Sequence, residues 1–543
     1  MRGVMAMAFI KVQKLVINDD GTIASGSAAI CDTIYGNFGS YHAKHRVRER
    51  LGKVLYLSKD RKNGIFLSPT RGLTAYDAVS DSFQPVDPSD ERIKPFNAML
   101  EPEIHTVFGD TYLLLEFLEK SGLLSVFQSI FQKKLDYERF LAHVLHGVLK
   151  DGSKISCDDF IEKSFASYLL KDIILSSLHT DSRYFSMMGD DHTKLAFFKN
   201  FVSYMQKRCP AFGKGCYVDS TPLPNDIMNN PFNALSCHGI AASDTMVRLI
   251  LVLDETTGLP VWYDIIPGNL PDISTIMNVL NDVAESLGIV IDSLVLDSGY
   301  ISQSLIEAFH IGSGKTLIGR MPARHGYPFK ELYWQVKPLF GKGKYNFIRN
   351  HHTYFGKRKS ITLFGRSEYA YVYVDQNNAL KRYGDYLTEH EEEFAAMKDK
   401  DKDWMTVKYG FFILISNLEA TPEKLLTSYF ERTQIEIAFK TSKEYLEMLP
   451  LSKWTDETVR GKILHDIIDT IIVLNLRRAV DNSGRSLSEI YGKTQSLMCT
   501  LGRDQIVTVE TPNKQVRNYY KLLNLVVPSH VDLKKYSPGI LGQ

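Results

Sequence analysis

The sequence predicts an α/β fold in which a mixed sheet flanked by helices is interrupted by a β-rich insertion. Three observations carry this. Short β-branched runs alternate with helical patterns from about Gly215 to Arg320. The pattern resumes at Tyr409–Ile415 and passes into a long helix after Thr421. Between them lies a turn-rich, mostly strand-like stretch, and then a mixed charge run, Glu389–Asp403, that reads as a solvated helix or loop. Alternating strand and helix signals point to a layered sheet rather than a sandwich or a bundle. At 543 residues the chain is long enough for several domains with large cores, and 44% of it is hydrophobic.

In order, residues from Ala8 to about Asp77 read as short strands and turns, with a turn at Asn18-Asp-Asp-Gly21 and a basic run at Tyr41–Leu51. From about Val107 to Gln206 apolar residues recur at three- and four-residue spacing, predicting helices. Cys216-Tyr-Val-Asp-Ser220 looks like a strand end. Val247–Leu253 and Leu259–Ile266 predict a hairpin around Asp254–Gly258. Pro271–Leu287 reads as a helix, Ile289–Leu296 as a buried strand, Ser302–Phe309 as a short helix and Thr316–Arg320 as a strand. Thr421-Pro422-Glu423 is a helix start, and that helix is expected to reach about Met448, before Pro450. Val459–Val480 predicts a long apolar helix, followed by a helical tail. The resulting domain plan is 1–106 β-rich, 107–206 helical, 207–320 sheet core, 321–408 β-rich insertion, 409–455 the second part of the core, and 456–543 helical.

The bulk charge is nearly neutral, +1, but its distribution is not. Between Ile311 and Arg366 twelve Lys or Arg face one acid, Glu331, a net of +11, and ten aromatic residues are interleaved. Lys342, Lys344 and Arg349 lie in this stretch, which should attract a polyanion and offer it flat rings. Six scattered cysteines without a CxxC pair predict reduced structural thiols, although Cys216 and Cys237 could approach each other. The chain lacks an apolar run long enough for a membrane helix, and its N-terminal stretch does not read as a secretory signal.

Asp219 and Asp297 each follow a predicted buried strand. Two carboxylates converging from adjacent strand ends suit a hard divalent cation. An acid at a strand end is equally common in turns, so this pattern alone does not choose. In the helix after Thr421, Tyr429, Arg432, Glu436 and Lys443 fall within an arc of roughly 60° at about 100° per residue, with Lys440 beside them. Phe430 and Ile437 point elsewhere and can pack a core. Ion pairing such as Arg432–Glu436 accounts for the charges on this stripe but not for Tyr429.

Other signals are weaker. Gly312-Ser-Gly-Lys-Thr316 resembles the end of a phosphate-binding loop, but Phe309 stands where that pattern needs glycine, so no nucleotide cofactor is expected. His351-His352 would face opposite ways on a strand, and His238 has no partner at ligand spacing.

Tyr429-x2-Arg432-x3-Glu436-x6-Lys443 resembles the YREK signature of bacterial insertion-sequence transposases of the Asp-Asp-Glu type, which have an RNase H-like fold. Tyr217–Thr221 resembles their first-aspartate segment and Val295–Tyr300 their second. Gly258–Tyr263 and Pro267-Gly-Asn-Leu-Pro-Asp272 resemble their hairpin and turn, where Asn269 and Asp272 read as turn and cap residues. The acids are 78 and 139 residues apart, the longer gap matching relatives with a β-rich insertion. The resemblance implies a cut-and-paste enzyme in which Asp219, Asp297 and Glu436 are both catalytic and metal-binding, holding two Mg²⁺ or Mn²⁺ ions. It implies DNA contacts through Tyr429, Arg432, Lys443, Lys440 and Arg320, besides Lys342, Lys344 and Arg349 of the basic stretch. The expected partners are double-stranded DNA, both terminal inverted repeats and target, and a second copy of the chain. The expected location is a bacterial cytoplasm, on the nucleoid when DNA is bound. Two alternatives remain open at this point: a non-catalytic DNA-binding descendant of a transposase, and a metal-dependent nuclease that cuts without joining.

Overall fold

A computed structural model describes residues 5–18, 22–38, 41–93, 106–150, 156–170, 173, 178–225, 232–235, 245–270, 274–449, 451–502 and 505–536. Asp272, Cys237 and His238 lie outside the described residues. The chain forms two compact units, one of residues 1–184 and 475–543, the other of residues 185–474.

The first unit opens with an antiparallel six-stranded meander: β1 (Met5–Ile17), β2 (Ile23–Phe38), β3 (Tyr41–Leu57), β4 (Asn63–Ser68), β5 (Gly72–Asp77) and β6 (Ser82–Pro85). The sequence predicts short strands here, but the first three are long. The reason lies in their pairing. Register shifts interrupt β1–β2 and β2–β3, so the period-two alternation that marks a strand is broken within a continuous one. The buried core cluster of this meander includes Ile30, Leu51, Val54, Ile65 and Phe66. Among the described residues, helices follow from Gly109 to Leu149 and from Cys157 to Leu169, as their periodicity predicts, and two more span Leu178–Met188 and Asp191–Gln206, the second of them in the second unit. The two-residue strand β7 (Thr106–Val107) belongs to a second sheet in this unit, described below with the chain's last strands.

The second unit is built on one large mixed sheet. Its strands are β8 (Gly215–Pro224), β9 (Ala234–Leu235), β10 (Thr245–Asp254), β11 (Pro260–Pro267), β12 (Ser293–Leu296), β13 (Thr316–Arg320), β14 (Asn346–Arg349), β15 (His352–Leu363), β16 (Arg366–Asp375) and β17 (Phe411–Ser416). Their order is β11-β10-β8-β12-β13-β17-β16-β15-β14, with β9 on β10. β10 runs antiparallel to both β8 and β11, while β12 and β13 run parallel to β8. β10 is buried at nine of its ten positions, the pattern of a strand covered on both faces. The predicted insertion extends the same sheet: β17 pairs antiparallel with β13, and β16, β15 and β14 follow it outward.

Two expectations need correction. The first part of the basic stretch is helical, over Phe329–Val336, rather than strand-like. Leu332, Tyr333 and Val336 recur at helical spacing and bury one face of it, with Pro328 at its N-cap. The tail is not wholly helical: β18 (Met498–Leu501), β19 (Ile506–Val509) and β20 (His530–Asp532) form a four-stranded sheet with β7, in the order β20-β19-β18-β7. These strands are three or four residues long, too short to display a period. Among the described residues no helix is long and apolar enough to cross a membrane.

Candidate active site

The sheet register brings two of the three predicted acids together. β12 runs parallel to β8, and the last pair is Leu296 with Val218. The next residues are Asp297 and Asp219, so the two stand side by side one step beyond the ladder. β13 continues the row, because Leu296 pairs with Gly319 and the next residue is Arg320. β8 itself continues past Asp219 to Pro224, so this acid lies within a strand and not at its end. After Asp297 the chain turns into a single 3-10 turn, Ser298–Tyr300. That turn is held from two sides. Arg324 and Tyr327 each donate to the Ile301 carbonyl at 2.9 Å. Ile301 packs over Gly319, where an added Cβ would stand 2.3 Å from its terminal methyl.

The helical segment after Thr421 supplies the rest. Thr421 caps it as its sequence predicts, accepting from the Lys424 amide at 3.3 Å. It does not run straight to Met448. One helix spans Pro422–Glu431, Arg432 forms the junction, and a second spans Thr433–Lys440. A π-turn, Thr441–Tyr445, then precedes the stop, where Leu446 donates to the Thr441 carbonyl at 3.0 Å. Such wide turns are rare and cluster at functional sites. The break also changes which residues face inward. Ile435 and Ala438 are buried, whereas Ile437, expected in the core, is 51% exposed.

Tyr429, Arg432 and Lys443 reach toward the acid-bearing strands. The Tyr429 hydroxyl donates to Asp297 Oδ1 at 3.3 Å. Burial first, and then the Asp297 charge, pushes the Tyr429 phenol up to about 12, so it stays a neutral donor. Arg432 Nη1 donates to Asp219 Oδ2 at 2.5 Å, with only 13% of its side chain exposed. Its Nη2 lies 3.9 Å from Glu436 Oε1. Lys443 Nζ donates to Thr221 Oγ1 at 2.6 Å and to the Pro222 carbonyl at 2.8 Å, and burial holds its pKa below the usual lysine value. Thr221 and Pro222 were not singled out from sequence. Thr221 belongs to the Tyr217–Thr221 segment, but a hydroxyl that receives a lysine from 222 residues away has no local signature.

Burial pushes the Asp219 carboxyl above the usual range, and the neighbouring Asp297 adds to this, while Arg432 and the Ser220 amide pull it back down. That amide donates to Asp219 Oδ1 at 2.8 Å. The third acid stands apart: the Glu436 side chain is 61% exposed and touches the group only through Arg432. Among the described residues no three His, Cys, Asp or Glu side chains are gathered closely enough to hold an ion. The donor chemistry nevertheless fits a hard divalent cation, with oxygen ligands alone and two adjacent carboxylates whose mutual repulsion a cation relieves.

The remaining predicted residues are more peripheral. Arg320 is exposed, lies 5.7 Å from the Phe412 ring centre, and is near enough to Tyr429 to favour its ionised form. Lys440 points to solvent and pairs with Glu444 at 3.7 Å. Arg349 lies 4.7 Å over the Phe430 ring, which ties the β14 edge to the Pro422–Glu431 helix. Lys342 and Lys344 are exposed around a 3-10 turn, and Asn269 is exposed. The rings of the basic stretch mostly pack on one another: Tyr333 meets Trp334, Phe340, Trp404 and Phe411, and Phe340 meets Phe355. They form a small core beneath the cations more than a platform for bases. His352 binds Asp375 at 2.9 Å while His351 sits in the turn before it, so they form no metal pair.

Residues 217–464 match the family model of the transposase DDE domain. All three acids and the Tyr429, Arg432 and Lys443 side chains fall inside that span. No curated protein matches the chain. Among solved structures, a cryo-EM structure of the piggyBac transposase synaptic complex with hairpin DNA is 11% identical and covers 76% of this chain and 80% of that one. Its TM-score of 0.38 is too low to bear on function.

Proposed function

We propose, from the transposase DDE domain matched across residues 217–464, that this chain is a DNA transposase that cuts at element ends and joins the freed 3′-hydroxyl to target DNA. The observation that carries the reading is the pairing of Asp219 with Asp297 by parallel register, faced by the Tyr429–Arg432–Lys443 side of a helix. The order of the sheet, three antiparallel strands followed by two parallel ones, supports an RNase H-like core.

In the first reaction water attacks a backbone phosphorus, and the bond to the 3′ oxygen breaks. In the second the released 3′-hydroxyl attacks a target phosphorus, displacing another 3′ oxygen. Asp219, Asp297 and Glu436 would hold Mg²⁺ or Mn²⁺, which when bound supplies activation of the attacking oxygen and stabilisation of the leaving one. The protein's own groups do the positioning. Tyr429 keeps its proton and fixes the Asp297 carboxylate. Lys443 pins β8 just beyond Asp219. Arg432 and Arg320 place positive charge beside the acids, where backbone phosphates are held without base reading.

The basic surface of β14–β15, with Lys342, Lys344 and Arg349, extends the DNA path. In the first unit Arg46, Arg48, Arg50, Arg71 and Arg139 line a groove of about 720 Å³ together with Asp32, Glu49 and Glu162, which pair with Arg48, Arg71 and Arg50, so the lining keeps an excess of two positive charges. We assign residues 1–106 a DNA contact on this basis, and residues 107–206 DNA binding and dimerisation. Two ends must be cut together, which calls for a second copy of the chain. The nuclease without strand transfer shares this site and is separated from a transposase only by the joining step. The test is incubation of the full chain with a duplex carrying the inverted repeat that bounds its gene, plus a target plasmid and Mg²⁺. Nicking at the repeat followed by joined product supports the reading; nicking without joining leaves the nuclease, and DNA binding without either leaves the non-catalytic descendant.

A further inference from the structure

We propose that Arg432 is a gate that couples DNA binding to cation binding: its guanidinium occupies the Asp219 oxygen a cation needs, and a DNA phosphate draws it away. This rests on the function proposed above and concerns the same site. Both Asp219 oxygens are engaged, Oδ1 by the Ser220 amide at 2.8 Å and Oδ2 by Arg432 at 2.5 Å. A divalent ion at Asp219 therefore meets a fixed positive charge at its own ligand. The same guanidinium lies between Asp219 and Glu436, the acid that stands apart. Its electrostatic partners include all three acids.

The guanidinium is also incompletely satisfied. Arg432 Nε is buried and has no hydrogen-bond partner among the described residues. A phosphate presents two adjacent acceptor oxygens that match the fork of Nε and Nη, which a single Asp219 oxygen does not. Arg432 further sits at the junction of two helical segments. Its neighbour Lys443, in contrast, is anchored on two acceptors of β8. When a phosphate takes the guanidinium, the carboxylates lose their counter-charge and their affinity for a cation rises. By linkage the cation strengthens DNA binding by the same factor.

The test is a Mn²⁺ titration of the full chain, read by the electron paramagnetic resonance signal of free Mn²⁺, with and without a duplex ending in the inverted repeat. Wild type is expected to bind Mn²⁺ about tenfold more tightly with DNA, within the usual range of coupling between sites. R432Q is expected to bind tightly already without DNA and to change less than about twofold on adding it. If R432Q does not fold, as judged by its thermal melt, R432K keeps the charge without the fork and must still show reduced coupling. Wild-type Mn²⁺ binding that is unchanged by DNA, or an R432Q titration that overlays wild type, overturns the gate. Failure of Mn²⁺ binding by every form, with D219N no different, removes the proposed metal site and the gate with it.

Discussion

In the first half of the large sheet, from β11 to β13, the charges that matter are half-buried and committed to each other: Asp219 to Arg432, Asp297 to Tyr429, and Lys443 to the strand beyond. In the second half, from β17 to β14, Lys342, Lys344 and Arg349 stand on the outside of a packed ring cluster. The buried acid Glu368 on β16 is different again. It is 1% exposed, and burial pushes it up to about 7, offset in part by the Ile311 backbone. The contrast separates charge arranged for chemistry from charge displayed for attraction. The first is sensitive to geometry, the second to number.

Changes that break a geometry should therefore cost most. Lys443→Met removes the tether to Thr221 and Pro222, and kcat for end cleavage should fall about 100-fold, as expected when a positioning group is removed next to the reacting centre. DNA affinity should change little by comparison, and a fall confined to affinity would place Lys443 with the attracting charges instead. Changing Lys342, Lys344 and Arg349 together to Gln should weaken DNA binding about tenfold and flatten the plot of log affinity against log salt by up to about 2.7, at roughly 0.9 for each phosphate no longer neutralised. An unchanged slope would remove that edge from the DNA path. Glu368→Gln is the smallest effect and concerns stability alone. Because the folded pKa of Glu368 is raised above the unfolded value, its ionisation costs stability above about pH 7, and that cost fades as pH falls toward 4.5. The variant should be more stable than wild type by about 1 kcal/mol at pH 8, because the amide avoids the buried charge but still buries polar atoms without partners, and equal to it near pH 4. Denaturant melts at the two pH values measure this; an equal gain at both would place the effect in packing.

The same contrast governs how much could be read from the sequence. The strand runs, the hairpin around Asp254–Gly258 and the Thr421 cap have local causes, and each is legible in a few residues. The stripe of Tyr429, Arg432, Glu436 and Lys443 is visible as helical spacing. Three features are not. The Arg432 junction and the π-turn at Thr441–Tyr445 depend on what the helix packs against, so helical spacing alone misplaces Ile437 and hides the separate position of Glu436. The joining of the insertion to the main sheet depends on the β13–β17 pair, which lies nearly a hundred residues apart in sequence. The long, bulged strands of the N-terminal meander hide their period in the register shifts themselves.

The central claim is that Asp219, Asp297 and Glu436 act as one site on DNA. It is tested most directly by D219N, D297N and E436Q in the Mg²⁺-dependent cleavage and joining of inverted-repeat DNA, with DNA binding measured alongside. Each variant should lose cleavage and strand transfer while still binding the duplex. Strand transfer at the wild-type level by any one of the three would contradict the assignment.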